Sequence, residues 1–580
     1  MKQVMERFDR IIFGDFEYRS TSGNLPEIRC GVFVEYPSNE VQKFWSNELP
    51  RKSFIQKNDL FVAYYAPAEI SCFQQLGWDI PNHIIDLFAE HRVSTNGLSG
   101  KASLLDALKI WKLASIDATE KDEMRALALR EGDDYSEQEK IDLLDYCFED
   151  TKALTLLFEK LLPFIDIDQA LYRGDYMKTI STMERHGIAI DTHMYKRIKE
   201  NEENLKNRLI SKVDNQYGVF DGTVFKRKLF ENYLIDNNIP WPKLASGNLS
   251  LKEETFSEQS KIYPKLHPLH QTLQFKKKAT VEKLAVGKDG RNRTMLSPFR
   301  SKTGRNQPSG NKFVFNCPSW VRGLVKPGEG SAIAYIDWSQ QEVAIAADLS
   351  SDPKMIDAYE SGDPYLAFGK QAGLIPIAAT KESHKEEREQ CKACVLAMQY
   401  GMGEDTFSRY IKRPKRTARM LIEMHKKTFS QFWTWSDSVV DFARQKGFLK
   451  TSLGWSIHID AKTSTNSIRN FMMQAHGAEI LRLACILICE QDIKLCAPVH
   501  DAVLIESPMD QIDDDIEVAR QCMEDAGSVV LSNVRLRTDY EKIEYPNRYM
   551  DPRGEFMWGQ VMEALSEIED VHEQAGPVHQ

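Results

Sequence analysis

Short apolar runs set between long amphipathic stretches divide this chain. Residues 8–18, FDRIIFGDFEY, read as a strand that carries two acids, Asp15 and Glu17. A second apolar run covers residues 58–77, and residues 136–161 have the apolar spacing of an amphipathic helix. Together these predict a small α/β unit ending near Leu162. Residues 165–300 are polar, rich in lysine and helical in pattern. A further strand is predicted at SAIAYID, residues 331–337, followed at once by polar residues, and a helix over 384–400. Residues 495–507, LCAPVHDAVLIES, form two short apolar runs broken at His500 and Asp501, the pattern of a hairpin with a His-Asp pair at its turn. The chain shows no internal repeat and no low-complexity tract.

Composition narrows the picture. A length of 580 residues allows about three or four domains. We expect no apolar run long enough to cross a bilayer and no membrane partner. The N-terminus, MKQVMERFDR, lacks the apolar core of a signal peptide and the acid-poor look of a transit peptide. The simplest expectation is a cytoplasmic protein, of a bacterium or of a virus within one. The ten scattered cysteines suggest reduced thiols, and the Cys391/Cys394 pair suits a buried helix face better than a metal site. A net charge of −10 speaks against a nucleic-acid partner, but the charge is uneven. Thirteen Lys/Arg and only two acids, Glu282 and Asp289, lie between Lys276 and Lys326. A local basic belt is what phosphate contact requires, although a solvated charged surface reads the same way.

Two constellations carry chemistry. Asp15 and Glu17 are two apart on a strand and share a face. Tyr146 and Asp150 are four apart on a helix and also share one. Carboxylates converging from separate elements suit a pair of Mg²⁺ ions about 4 Å apart that activate water and stabilise a leaving oxygen. The second constellation joins Asp337, at a strand end, to Asp501, at a hairpin turn; such places hold carboxylates rigidly enough for two more Mg²⁺ ions. Arg388, Lys392, Leu396 and Tyr400 recur every four residues. Each step drifts by only about 40°, so they form one stripe that suits a triphosphate and a base.

The order of these motifs resembles known families. The N-terminal 165 residues resemble the DnaQ-like 3′→5′ exonucleases, with D-x-E at Asp15-Phe16-Glu17 and Y-x3-D at Tyr146 to Asp150. The segment Ala63-Tyr64-Tyr65-Ala66-Pro67-Ala68-Glu69 matches their second motif, with Glu69 for the usual aspartate and tyrosines for its His and Asn. Residues from about 170 to 560 resemble the family-A DNA polymerases, most closely the bacteriophage branch. The matching motifs are Asp337-Trp338-Ser339-Gln340-Gln341-Glu342, then Arg388, Lys392, Tyr400 and Gly401, then Val499-His500-Asp501-Ala502. Thr303-Gly304-Arg305 and the Asn470/Gln474 pair also match.

The resemblance implies a multidomain α+β fold. An RNase H-like exonuclease domain would span 1–165, a thumb 166–300, the palm 301–345 and 451–580, and fingers 346–450. It implies that Asp337, Asp501 and the Trp338 carbonyl hold the polymerase metals, and that Asp15, Glu17 and Asp150 hold the exonuclease metals, with Glu69 and Tyr146 completing that centre. Arg388, Lys392, Leu396, Tyr400, Glu342, Gln340 and Tyr365 would meet the nucleotide, Glu342 by crowding the sugar 2′ position. Arg305, Asn470, Gln474 and His500 would meet primer and template. The implied cofactor is Mg²⁺, two ions at each centre. The implied partners are primed DNA, dNTPs and a processivity factor, helicase or primase. The run Phe275 to Lys278 and the arginines at 291, 293, 300 and 305 would face phosphates, and the segment Lys412 to Arg419 would steer template or form a solvated turn. Two departures stand out: Ala502 replaces a glutamate, and Leu396 stands where the family usually has an aromatic residue. The absence of a 5′-nuclease region suggests a replicative viral enzyme. Rival readings are a nuclease-only repair protein, a non-catalytic primer-template clamp, and a polymerase with an inactive exonuclease.

Overall fold

The structure, a computed structural model, describes residues 2–98, 100–113, 118–244, 246–277 and 281–575. It is a multidomain α/β arrangement that divides into two compact units. The first comprises Met1–Gly187, Met295–Pro308 and Ile333–Lys542; the second comprises Ile188–Thr294, Ser309–Ala332 and Ile543–Gln580.

The first unit begins with a five-stranded sheet. Its strands are β1 (Ile11–Arg19), β2 (Glu27–Tyr36), β3 (Val41–Trp45), β4 (Leu60–Ala63) and β5 (His83–Asp86), in the order β3-β2-β1-β4-β5. The β1–β2 and β2–β3 pairs are antiparallel, whereas β1–β4 and β4–β5 are parallel. β1 is therefore interior, and its apolar residues Ile11, Ile12, Phe13 and Phe16 are buried. Helix α1 (Pro67–Leu76) links β4 to β5. Helices α2 (Ala118–Ala128) and α3 (Glu137–Leu161) follow, and α3 opens on a reciprocal capping box between Ser136 and Glu139. The α3 face bearing Leu154, Leu157, Phe158 and Leu161 packs with Ile11, Phe13, Leu60 and Val62 of the sheet. The apolar run at 58–77 is thus a strand and a helix rather than one element.

The same unit holds a second sheet, of four strands: β6 (Ser331–Trp338), β7 (Leu495–Val499), β8 (Ala502–Pro508) and β9 (Thr538–Glu544), in the order β7-β8-β6-β9. The β7–β8 hairpin closes with Val499 opposite Ala502, so only His500 and Asp501 make the turn. Around this sheet lie α4 (Ile167–His186), α5 (Gln341–Ser350), α6 (Pro364–Gln371), α7 (Lys385–Gln399), α8 (Thr465–Glu490) and α9 (Ile512–Val530). Helix α8 corrects one expectation. By length and composition it is apolar enough to cross a membrane, but most of it is buried inside the protein, as a core helix would be.

The second unit is built from short helices, including Glu202–Tyr217, Arg227–Asp236, Glu253–Ile262 and His267–Lys277, around Tyr217, Phe220, Phe230, Phe256 and Leu269. Three ion pairs, Arg197–Glu569, Arg208–Glu567 and Lys212–Glu563, tie the helix Glu555–Ala575 to this set. The terminal segment from Ile543 thus groups with these helices and not with residues 451–542.

Helix α4 meets β5 at one glycine. A Cβ on Gly174 would stand 1.9 Å from the carbonyl oxygen of Ile84. Gly174→Ala must therefore push α4 off the sheet edge. We expect a loss of about 3 kcal/mol, read as a lower melting temperature, with the far-UV spectrum retained.

Candidate active sites

The first centre stands on β1 and α3. Side chains alternate along β1, so Asp15 and Glu17 leave it on the same side. Asp150 on α3 completes a set whose ligand oxygens all lie within 4.8 Å of one another, the one such cluster among the described residues. Burial raises the Asp15 carboxyl above its usual range, and the charge of Asp150 raises it further. Burial and Asp15 do the same to Glu17. Tyr146, one turn before Asp150, has its phenol raised by burial and by that same acid. Three oxygen donors crowded together fit a hard divalent cation such as Mg²⁺, which would relieve their repulsion.

Glu69 lies in this centre with a different task. It occupies the first turn of α1, is buried, and accepts the backbone N–H of Phe16 at 2.9 Å. It clamps the residue between Asp15 and Glu17 and stands outside the three-carboxylate set. Of the neighbouring tyrosines, Tyr64 donates to Ala102 O, and Tyr65 adopts φ 71° with a buried hydroxyl that has no partner among the described residues. Two contacts of this centre had no signal in the sequence. Cys147 Sγ lies 3.3 Å from Asp15 Oδ2, and Lys121 Nζ lies 2.8 Å from Asp150 Oδ2.

The second centre stands where β6 ends and the β7–β8 hairpin turns. Burial, and then the charge of Asp501, raise the Asp337 carboxyl to about 7. Burial also raises Asp501. Asp337 Oδ1, Gln340 Oε1 and Asn470 Oδ1 are shielded from solvent with no hydrogen-bond partner among the described residues. The donor set again fits a hard cation. His500 forms the turn at φ 60°. The Trp338 side chain turns into the core, where its indole N–H donates to Met523 O. A third acid, Asp539 on β9, accepts from the Ser339 hydroxyl and further raises Asp337.

The same unit holds the cationic stripe. Arg388 and Lys392 on α7 both sit over the Tyr365 ring, at 5.6 and 5.8 Å from its centroid. Arg388 pairs with Asp363, the N-cap of α6, and with Glu389. Leu396 is half-buried, and Tyr400 beyond it is exposed. Tyr400 donates to Glu342, which also accepts from Arg305 at 2.9 Å. Arg305, expected at the primer, is therefore tied here to the residue expected at the sugar. Asn470 and Gln474 are one turn apart on α8, half-buried.

Several charges of the basic belt are engaged within the protein. Arg293 pairs twice with Asp289, and Arg322 pairs with the buried Asp551. Lys276 donates to the Thr223 carbonyl. Lys278 lies outside the described residues. In the Lys412–Arg419 segment, Lys415 pairs with Asp405 and Arg419 with Glu404. Cys391 and Cys394 are buried on one face of α7 and belong to no metal cluster among the described residues.

Comparison with known proteins gives the family to which this fold belongs. A family model for DNA polymerase family A matches residues 195–544. The chain belongs to that family. DNA polymerase I of Aquifex aeolicus is 27% identical over 315 residues, 51% of this chain and 54% of that protein. DNA polymerase I of Chloroflexus aurantiacus is 24% identical over 420 residues, 65% of this chain and 44% of that protein. The chain thus spans about half the length of the curated relatives it matches. Among solved structures, the POL domain of Pol1 from M. smegmatis, in complex with DNA primer-template and dNTP, shares the fold. Its TM-score is 0.71 at 18% identity, over 92% of this chain and 94% of that one.

The raised Asp337 carboxyl gives a pH signature. A carboxyl with a higher pKa folded than unfolded stabilises the fold below about pH 4, and that stability is lost as pH rises through about 7. With divalent cations chelated, the melting temperature should fall between pH 5 and pH 8. Asp337→Asn should flatten part of that slope, and an unchanged slope would remove Asp337 as its source.

Proposed function

We propose that this chain extends primed DNA from dNTPs on a template and trims mispaired 3′ ends in a separate centre. The observation that carries the synthetic half is the convergence of Asp337 and Asp501 in a unit that also gathers Arg388 and Lys392 over the Tyr365 ring. Asp337, Asp501 and the Trp338 carbonyl would hold two Mg²⁺ ions, which supply charge neutralisation at the primer hydroxyl and the phosphates. Arg388 and Lys392 take the triphosphate, and Tyr365 backs both cations. Glu342, braced by Arg305 and Tyr400, crowds the sugar 2′ position. Asn470, Gln474 and His500 meet the primer-template. Family membership and the primer-template and dNTP bound to the structural neighbour support this reading.

The trimming half rests on the Asp15, Glu17 and Asp150 cluster with Tyr146 alongside. In our reading residues 1–165 form an RNase H-like exonuclease domain of the DnaQ type. Asp15, Glu17 and Asp150 would hold its two Mg²⁺ ions, Tyr146 orients the attacking water, and Glu69 keeps β1 in place. We place the chain in the bacteriophage-type branch, acting in viral DNA replication in a bacterial cytoplasm.

Extension and trimming of one labelled primer test both halves. Asp337→Ala should lose extension by about a thousandfold and keep trimming; Asp15→Ala should do the reverse. Extension surviving Asp337→Ala would sink the synthetic assignment. Leu396 offers a finer test. Restoring an aromatic side chain with Leu396→Phe should change discrimination against 3′-deoxynucleotides by at least about tenfold. Unchanged selectivity in single-nucleotide incorporation would show that position 396 does not meet the sugar.

A further inference from the structure

The two carboxylate centres differ in one respect that their motifs do not record. Among the described residues, no lysine or arginine forms an ion pair with Asp337 or Asp501; Arg305, whose charge reaches Asp501, is paired with Glu342 instead. The Asp15–Glu17–Asp150 centre, by contrast, carries its own cation. Lys121 projects from α2 and brings its Nζ to 2.8 Å from Asp150 Oδ2. The same ammonium lies 5.6 Å from the Tyr146 ring centroid. Its charge also draws down the otherwise raised carboxyls of Asp15 and Glu17. The contact is well shielded, with the Asp150 side chain 11% and the Lys121 side chain 24% exposed.

We propose that Lys121 is a tethered counter-ion that a divalent cation must displace from Asp150 before this centre can work. The proposal rests on the exonuclease reading above and adds a control to it. The Asp150 carboxylate is both the lysine's acceptor and one of the three groups available to a metal. One carboxylate cannot give its charge fully to both, so a metal taken up at Asp150 competes with that one charge-assisted hydrogen bond. Two consequences follow. Without metal, the lysine keeps three crowded carboxylates assembled that would otherwise repel. With metal, it raises the divalent concentration needed for trimming above that needed for synthesis, because the Asp337–Asp501 pair has no such competitor. The balance between the two activities then varies with divalent concentration in a way set by one side chain.

The test measures metal binding, not turnover. In a chain already carrying Asp337→Ala and Asp501→Ala, Mn²⁺ binding is followed by electron paramagnetic resonance, with melting temperature as a check on folding. Lys121→Gln should tighten Mn²⁺ binding by about tenfold. Lys121→Arg, which keeps the charge, should stay near the parent value. Adding Asp15→Ala should abolish the tightened binding. In the otherwise native chain, Lys121→Gln should lower the Mg²⁺ concentration for half-maximal trimming and leave that for extension unchanged. Equal Mn²⁺ affinity in the parent and Lys121→Gln would overturn the counter-ion and leave the nuclease reading standing. No Mn²⁺ bound by either would overturn both. Binding by Lys121→Gln alone would support the proposal in its strongest form.

Discussion

Crowded, shielded carboxylates are the constraint on which this molecule depends. Like charges a few ångströms apart and away from water disfavour one another's ionisation. Both centres nevertheless require that arrangement. The fold meets it by mounting the acids where the backbone cannot move aside. Asp15 and Glu17 stand on an interior strand flanked by β2 and β4. Asp150 stands on a 25-residue helix whose opposite end is fixed by a capping box. Asp337 closes a central strand of its sheet, and Asp501 sits in a two-residue turn. Several of the buried acids receive partial relief. Glu69 accepts a backbone N–H, Asp15 a thiol, Asp150 an ammonium, and Asp337 the N–H of Trp338. None of these equals a divalent ion in charge, which is why the arrangement suits one.

The Arg388–Lys392 stripe poses the opposite problem, since cations gathered on one helix face must be balanced. Arg388 is paired with Asp363 and Glu389, and Arg305 with Glu342. Lys392 has no carboxylate partner among the described residues and lies over the Tyr365 ring. Under the function we propose, an arriving triphosphate would meet one cation without a carboxylate partner among the described residues, and one that must exchange a carboxylate for a phosphate. Tyr365 presents its ring face, which attracts cations, to both Arg388 and Lys392.

Much of this was legible in the chain, and the rest was hidden for identifiable reasons. The helix over 136–161 was plain because its apolar spacing and the Ser136–Glu139 box are local signals. The hairpin at 495–507 was plain because two apolar runs break at one dipeptide. The run at 58–77 was not resolved into strand and helix, since a buried strand feeding a buried helix leaves no polar gap. Helix α8 escaped notice as a bilayer-length apolar stretch because its polar residues are spread along a buried helix. Lys121, Cys147, Asp363 and Asp539 were missed for one shared reason. Each acts through a partner distant in sequence, and a single lysine or aspartate in a polar stretch carries no mark of that partner.

The loss of the acid after His500-Asp501 now has a physical account. Position 502 is not part of the turn; it is the first residue of β8, paired with Val499 and fully buried. A carboxylate there would enter the sheet interior unless it bent back toward the metals, so an alanine suits the strand better. The sheet order supplies the complement. β6 lies between β8 and β9, so the turn bearing Asp501 approaches Asp337 from one side and β9 from the other. From β9 comes Asp539, fixed by the Ser339 hydroxyl and near enough to raise Asp337. The centre thus keeps a third acid, carried on the opposite neighbour of the same central strand. The motif changed at position 502 while the local charge around Asp337 did not fall to two.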